Sequence, residues 1–358
     1  MKGTLKKDIN TEICRITLML FIIMHHLILN GVGLRKIESN LFDKTDIAYA
    51  ALNAYLIVAV NIFFLISGYY TIKLKIKKII NISLIVYFYF IIINLIFLIL
   101  GLEVFNLNII KKMFFPISGY WFIFVYIILS LFSPLINIML QNCSKYILKR
   151  YILISSLIFL FYDFTMQNSV LGINAGYSLT FSIYLYILGY YLRNYYNINI
   201  SKNMLLLIYL ISSGINGLLA VIFIYLNNGE IAWELYSYNN PLVLIGSVSL
   251  FLFFKSLVVK NEKKNKIILE MSSIVLAAYI IHSTSILSNH IYLLFSKYIN
   301  ILTGINKTIV LLLYTVLIFI SCYLIEIIRK SLFEKIFDSI TEYIYIYYKK
   351  IINIFNFL

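Results

Sequence analysis

Arg15, His25 and His26 stand inside an otherwise apolar run that extends from Ile13 to about Gly31. An ionisable side chain in hydrocarbon costs a few kcal/mol, so a residue of this kind inside a spanning helix is a functional candidate by default. Arg15 and His26 are eleven residues apart. At about 100° per residue this is close to three turns, which puts both on one helix face about 16 Å apart along the axis; His25 points about 80° away from it. Arginine suits a phosphate, and histidine suits proton transfer or nucleophilic attack near neutral pH. His26 is therefore the candidate catalytic residue, with Arg15 below it on the same face. A further histidine, His282, ends the apolar stretch Tyr279-Ile-Ile-His282 and is a further candidate. Cys14, Cys143 and Cys322 are far apart and show no metal-ligand spacing, so neither a disulfide framework nor a metal site is expected.

The elements that must position these residues are membrane spans. Hydrophobic residues make up 62% of the chain, in continuous runs of about bilayer length, which excludes a soluble globule. A β-barrel would alternate apolar and polar positions, and these runs do not. The expected fold is an all-α polytopic bundle of about ten transmembrane helices, near residues 13–31, 47–70, 79–102, 119–139, 149–164, 177–192, 204–226, 241–259, 272–295 and 308–328. The lysines before the first run resemble a signal peptide, but the run is too long and lacks a small-residue cleavage pattern, so it is read as a retained span. The formal net charge of +15 would suggest nucleic acid in a soluble protein. Here the basic residues cluster in alternate loops, which marks them as topology signals facing anionic membrane lipid and puts both termini in the cytoplasm. Residues 1–330 are read as one transmembrane domain and 331–358 as an amphipathic tail on the cytoplasmic interface, with no soluble domain expected at either end.

With this orientation the first span runs outward, so Arg15 lies near the cytoplasmic end and His26 beyond the midplane. The second span runs inward and brings Ser67 and Gly68 to the level of Arg15, next to Lys77 and Lys78, forming a basic inner mouth. The segment carrying His282 runs outward, so the two histidines reach similar depth and could line one chamber. Ser67-Gly68 suits close helix packing better than nucleophilic attack, since no base is evident beside Ser67. Tyr120 and Trp121 fall at an interface where aromatic side chains are expected, with glycan stacking as the functional alternative.

Five elements in order resemble the integral-membrane acyltransferase 3 family, which O-acylates surface polysaccharides and related glycans. They are Arg15 with His26; Asn61-Ile-Phe-Phe-Leu-Ile-Ser67-Gly68-Tyr69; Tyr120-Trp-Phe through Ser133-Pro134-Leu-Ile-Asn137; Gly176-Tyr-Ser-Leu; and Ser272-Ser through Tyr279-Ile-Ile-His282. The resemblance implies acetyl-CoA as acyl donor, a glycan or lipid-linked saccharide as acceptor, no metal and no nucleic acid. It makes Arg15, His26 and His282 the candidate catalytic set, and Ser67, Gly68, Lys77, Lys78, Tyr120, Trp121 and Tyr279 the candidate substrate-binding residues. His26 would act as general base or as a covalent acyl relay, and the sequence leaves both open. Family members often carry arginines where this chain has Lys77 and Lys78, and many carry a fused soluble transferase domain, which is not expected here, so delivery to the acceptor falls either to this membrane unit alone or to a separate soluble transferase partner. A bacterial plasma membrane location follows from the resemblance. The competing reading is a glycan export or polymerisation protein; against it, no Gly- or Pro-broken helix pair of the inverted-repeat kind is visible.

Overall fold

The computed structural model describes residues 8–102, 107–162, 164, 172–197, 199–257 and 262–355, and among them every regular element is helical. Helix α1 (Ile9–His26) starts at Asp8, whose carboxylate accepts the Asn10 backbone N–H and so satisfies one of the free donors of the first turn. The chain stays helical past His26 but widens into a π-helix over Leu27–Val32 and stops at Gly33, whose φ of 92° is left-handed. The second span is two helices, α2 (Ile47–Leu56) and α3 (Ala59–Tyr69), broken at Ile57–Val58. There is no glycine or proline at the break. Just before the break the Tyr55 carbonyl accepts the Tyr209 hydroxyl at 2.8 Å, so a neighbouring helix bonds the backbone there in apolar surroundings.

Next come α4 (Ile76–Ile99), α5 (Leu107–Phe114) and α6 (Trp121–Asn142). Pro134 removes a backbone donor inside α6, and the Ser133 hydroxyl fills the gap by donating to the Ser130 carbonyl at 2.7 Å. Helix α7 (Lys145–Ser156) runs into a π turn over Leu157–Tyr162, followed by α8 (Leu179–Asn194), α9 (Lys202–Tyr225), α10 (Gly229–Glu234) and α11 (Pro241–Lys255). The final elements are α12 (Glu262–Ser272), α13 (Val275–Ser283), α14 (Ser285–Ile299) and α15 (Gly304–Phe355).

Seven helical stretches among the described residues are long and apolar enough to cross a bilayer. The three remaining expected crossings rest on shorter helices: α7 has 12 residues before its π turn, α8 has 16 and α11 has 15, which at 1.5 Å per residue is less than the roughly 30 Å hydrocarbon core. Two expected boundaries differ. The segment near 272–295 is interrupted at Thr284, between α13 and α14. Residues 331–355, expected as a separate interfacial tail, continue the last span in one helix of 52 residues. No glycine or proline follows Gly304 to stop it, and Arg329 is not forced to an interface. Arg329 Nε and Nη2 bind both Glu326 oxygens at 2.7 and 2.8 Å, and Tyr89 of α4 donates to the same carboxylate at 2.5 Å, with the pair 3% and 2% exposed.

The bundle has two distinct polar ends. At one, Lys255 pairs with Asp8, Tyr70 donates to Asp8 at 2.7 Å, and Arg193 donates to the Tyr69 carbonyl at 3.0 Å. At the other, Lys307 pairs with Asp46 and Lys44 donates to Asn227 at 2.9 Å. Helix α1 runs from the first end towards the second.

Candidate active site

Three irregularities converge around His26: the π-widening that follows it, the break after α13 one residue beyond His282, and the start of α6 at Trp121. Nδ1 of His26 lies 3.1 Å from Nε2 of His282, with ring centroids 5.2 Å apart. Nδ1 of His282 is 2.5 Å from the Ala278 carbonyl one turn back. A carbonyl only accepts, so His282 carries its proton on Nδ1 and offers a lone pair at Nε2. His26 must then donate from Nδ1, and in the neutral pair its own Nε2 is unprotonated. A backbone carbonyl thus fixes the tautomers of both rings and leaves a base at Nε2 of His26. His282 is 3% exposed, whereas His26 is half-buried and the more accessible of the two.

His25 turns elsewhere, as the helix arithmetic requires. Its Nδ1 donates to Asn53 of α2 at 2.5 Å, and both residues are buried. It joins the first span to the second.

An aromatic wall leads away from His282. The Tyr279 ring lies 6.1 Å from that of His282, Tyr120 and Phe122 lie 6.3 and 5.7 Å from Tyr279, and Trp121 is 6.0 Å from Phe122. The Tyr120 hydroxyl is 2.7 Å from that of Thr284, at the break after α13. Trp121 continues the wall, with Tyr177 4.7 Å away and Tyr238 stacked at 5.8 Å.

The residues expected at the inner mouth are dispersed. Arg15 binds Glu12 at 3.1 Å, with 35% of its side chain exposed. Ser67 donates to the Phe63 carbonyl of its own helix. Gly68 is a packing position: a Cβ there would overlap the Tyr186 carbonyl of α8, and a Cβ on Gly189 would overlap that of Leu65. Lys77 pairs with Glu342 and Lys78 donates to the Tyr126 hydroxyl at 3.1 Å; among the described residues neither is bonded to α1. The Ser-Pro-x-x-Asn element is also structural. Asn137 donates to the Ile72 carbonyl at 2.9 Å and accepts from Tyr186 at 2.8 Å, which ties the turn after α3 to α6 and α8.

Sequence reasoning missed Asn53, Thr284, Tyr238, Asn30 and Arg35. Asn30 donates to the His26 carbonyl at 3.1 Å and accepts from Arg35 Nε at 2.7 Å. Asn53, a buried amide in an apolar run, did carry a signal, since polar groups in spans are costly unless bonded.

The profile of an acyltransferase domain, Acyl_transf_3, matches residues 9–327, most of the chain and all of the site. The chain belongs to the acyltransferase 3 family. As a member it is a multi-pass acyltransferase, an enzyme that moves acyl groups. No curated protein and no solved structure matches it. In this acyltransferase the sequence elements divide: His26, Tyr279–His282 and Tyr120–Phe122 lie at the histidine pair, while Ser67-Gly68 and Ser133 to Asn137 hold helices together.

Proposed function

We propose that this acyltransferase carries an acetyl group from acetyl-CoA to a hydroxyl of a surface or lipid-linked saccharide, with His26 as general base. The observation that carries the reading is the hydrogen-bonded histidine pair with its tautomers set by the Ala278 carbonyl. Nε2 of His26 takes the proton of the acceptor hydroxyl as its oxygen attacks the thioester carbonyl. The C–S bond then breaks, the proton passes to the leaving thiolate, and an ester and free CoA result. His282 keeps the His26 ring in orientation and shares the transient imidazolium charge through the same hydrogen bond. Arg15, half-exposed on the same helix about 16 Å below and paired with Glu12, would take a phosphate of the donor. The pantetheine arm would then lie along the Arg15–His26 face.

In the orientation that follows from the basic loops, both termini and Arg15 face the cytoplasm of a bacterial plasma membrane. The shorter helices complete ten crossings, and the acceptor approaches from the opposite end past Tyr120, Trp121 and Tyr279. The test is a single-turnover assay with labelled acetyl-CoA and membranes containing the protein. Label should appear in saccharide without a protein-bound intermediate. Label trapped on the protein in the absence of acceptor would replace the general base with a covalent acyl-histidine relay.

A further inference from the structure

Arg35 lies just beyond the π-widened end of α1, in a short turn after Gly33, and acyl transfer as described makes no use of its charge. Its Nε donates to Asn30 Oδ1 at 2.7 Å, and Asn30 in turn donates to the backbone carbonyl of His26 at 3.1 Å. The guanidinium therefore stands on a support whose other end is the proposed base. Its field reaches His26, Tyr292 and Tyr177. Among the described residues no carboxylate pairs with it.

Aromatic rings share this region. Tyr177 lies within reach of the Arg35 charge and is 4.7 Å from both Trp121 and Tyr238. Flat aromatic faces with polar tips suit the apolar face of a pyranose ring. A planar guanidinium with one edge held and the rest free suits a carboxylate or a phosphate, which it can bind with two parallel hydrogen bonds. A neutral sugar would use the rings and leave the cation without a partner.

We infer that the acceptor is an anionic glycan: its sugar ring packs on Tyr177 and Trp121, and Arg35 takes its carboxylate or phosphate, bringing a hydroxyl to Nε2 of His26. This deepens the acyl-transfer reading and rests on it. An acidic acceptor also binds from the second polar end of the bundle, the one opposite Arg15, so the two arginines serve different substrates: Arg15 the donor and Arg35 the acceptor.

The test compares acceptors in membranes carrying wild type, Arg35→Gln or Arg35→Lys at matched levels, with labelled acetyl-CoA as donor. The acceptors are an oligogalacturonide, the neutral galactose oligosaccharide of the same linkage, and a glycerol phosphate oligomer. Wild type should favour an acidic acceptor, and the one favoured tells carboxylate from phosphate. Arg35→Gln should lower kcat/KM for that acceptor by about tenfold to a hundredfold, as expected for loss of a charge-assisted contact, and collapse the acidic-to-neutral ratio. Arg35→Lys should restore part of that ratio. Equal use of neutral and acidic acceptors by wild type, or an equal loss on both in Arg35→Gln, would overturn the inference and leave acyl transfer standing. No transfer by wild type to any of the three would count against the glycan-acylation reading itself and take the inference with it. The wild-type preference needs no variant, so the test survives a failure of either substitution to fold.

Discussion

His26 and His282 form one chemical unit, and the two residues have different duties. His26 is the half-buried ring with the free Nε2, whereas His282 is enclosed and bonded at both nitrogens. His282→Ala leaves the His26 Nδ1–H without its acceptor and the ring without its brace, so acetyl transfer should fall by about tenfold to a hundredfold. His282→Gln, whose amide oxygen can take that N–H, should recover much of the loss. Equal rates for His282→Ala and wild type would remove His282 from the mechanism. The Arg15–His26 face was legible in the sequence because helical periodicity alone fixes it. The contact between His26 and His282 was legible only as similar depth. The Ala278 carbonyl that sets the tautomers was not legible at all, since a backbone acceptor leaves no trace in residue type.

Helix breaks place the site, and they are the feature the sequence concealed. A break is usually sought at glycine or proline, yet Ile57–Val58 and Thr284 have neither. Here hydroxyls bond the backbone at the breaks: Tyr209 of a neighbouring helix donates to the Tyr55 carbonyl at 2.8 Å, and Thr284 donates back to Ile280 of α13 at 2.9 Å. Glycine matters instead in regular helix. Gly68 and Gly189 let α3 and α8 touch backbone to backbone. Gly68→Ala should therefore cost about 1–3 kcal/mol of stability through overpacking, seen as a lower melting temperature in detergent. Ser67→Ala removes only a hydroxyl bonded to its own helix and should leave both stability and transfer close to wild type. A collapse of transfer in a folded Ser67→Ala protein would instead point to a role in chemistry. The continuity of α15 through Arg329 was hidden for a similar reason: a basic pair after an apolar run reads as a span end, and only the buried partner Glu326 and Tyr89 of α4 reveal otherwise.

Across the whole molecule, the two polar ends give α1 a direction, and in the proposed reaction one is the donor side and the other the acceptor side. The Asp8 end also predicts a pH dependence. Burial raises the affinity of the Asp8 carboxyl for its proton, but the hydrogen bonds from Lys255 and Tyr70 outweigh this and hold it below the usual carboxylate range. A carboxyl depressed on folding contributes stability above its unfolded pKa of about 4, and that contribution is lost as pH falls through the folded value. Melting temperature should fall on acidification below about pH 4, and Asp8→Asn should flatten that part of the curve; an unchanged acid limb would contradict this role for the pair. Cys143 reports orientation, because it is partly exposed at the end of α6 while Cys14 and Cys322 are buried. In intact cells an impermeant thiol reagent should leave Cys143 unmodified, and modification would invert the proposed topology. The most direct test of the account uses sealed inverted membrane vesicles given labelled acetyl-CoA on the outside, their cytoplasmic face. Wild type should pass label to saccharide in the lumen, His25→Ala should retain transfer within about tenfold, consistent with loss of a structural hydrogen bond, and His26→Ala at the same protein level should pass none. Transfer by His26→Ala at the wild-type rate would contradict the account.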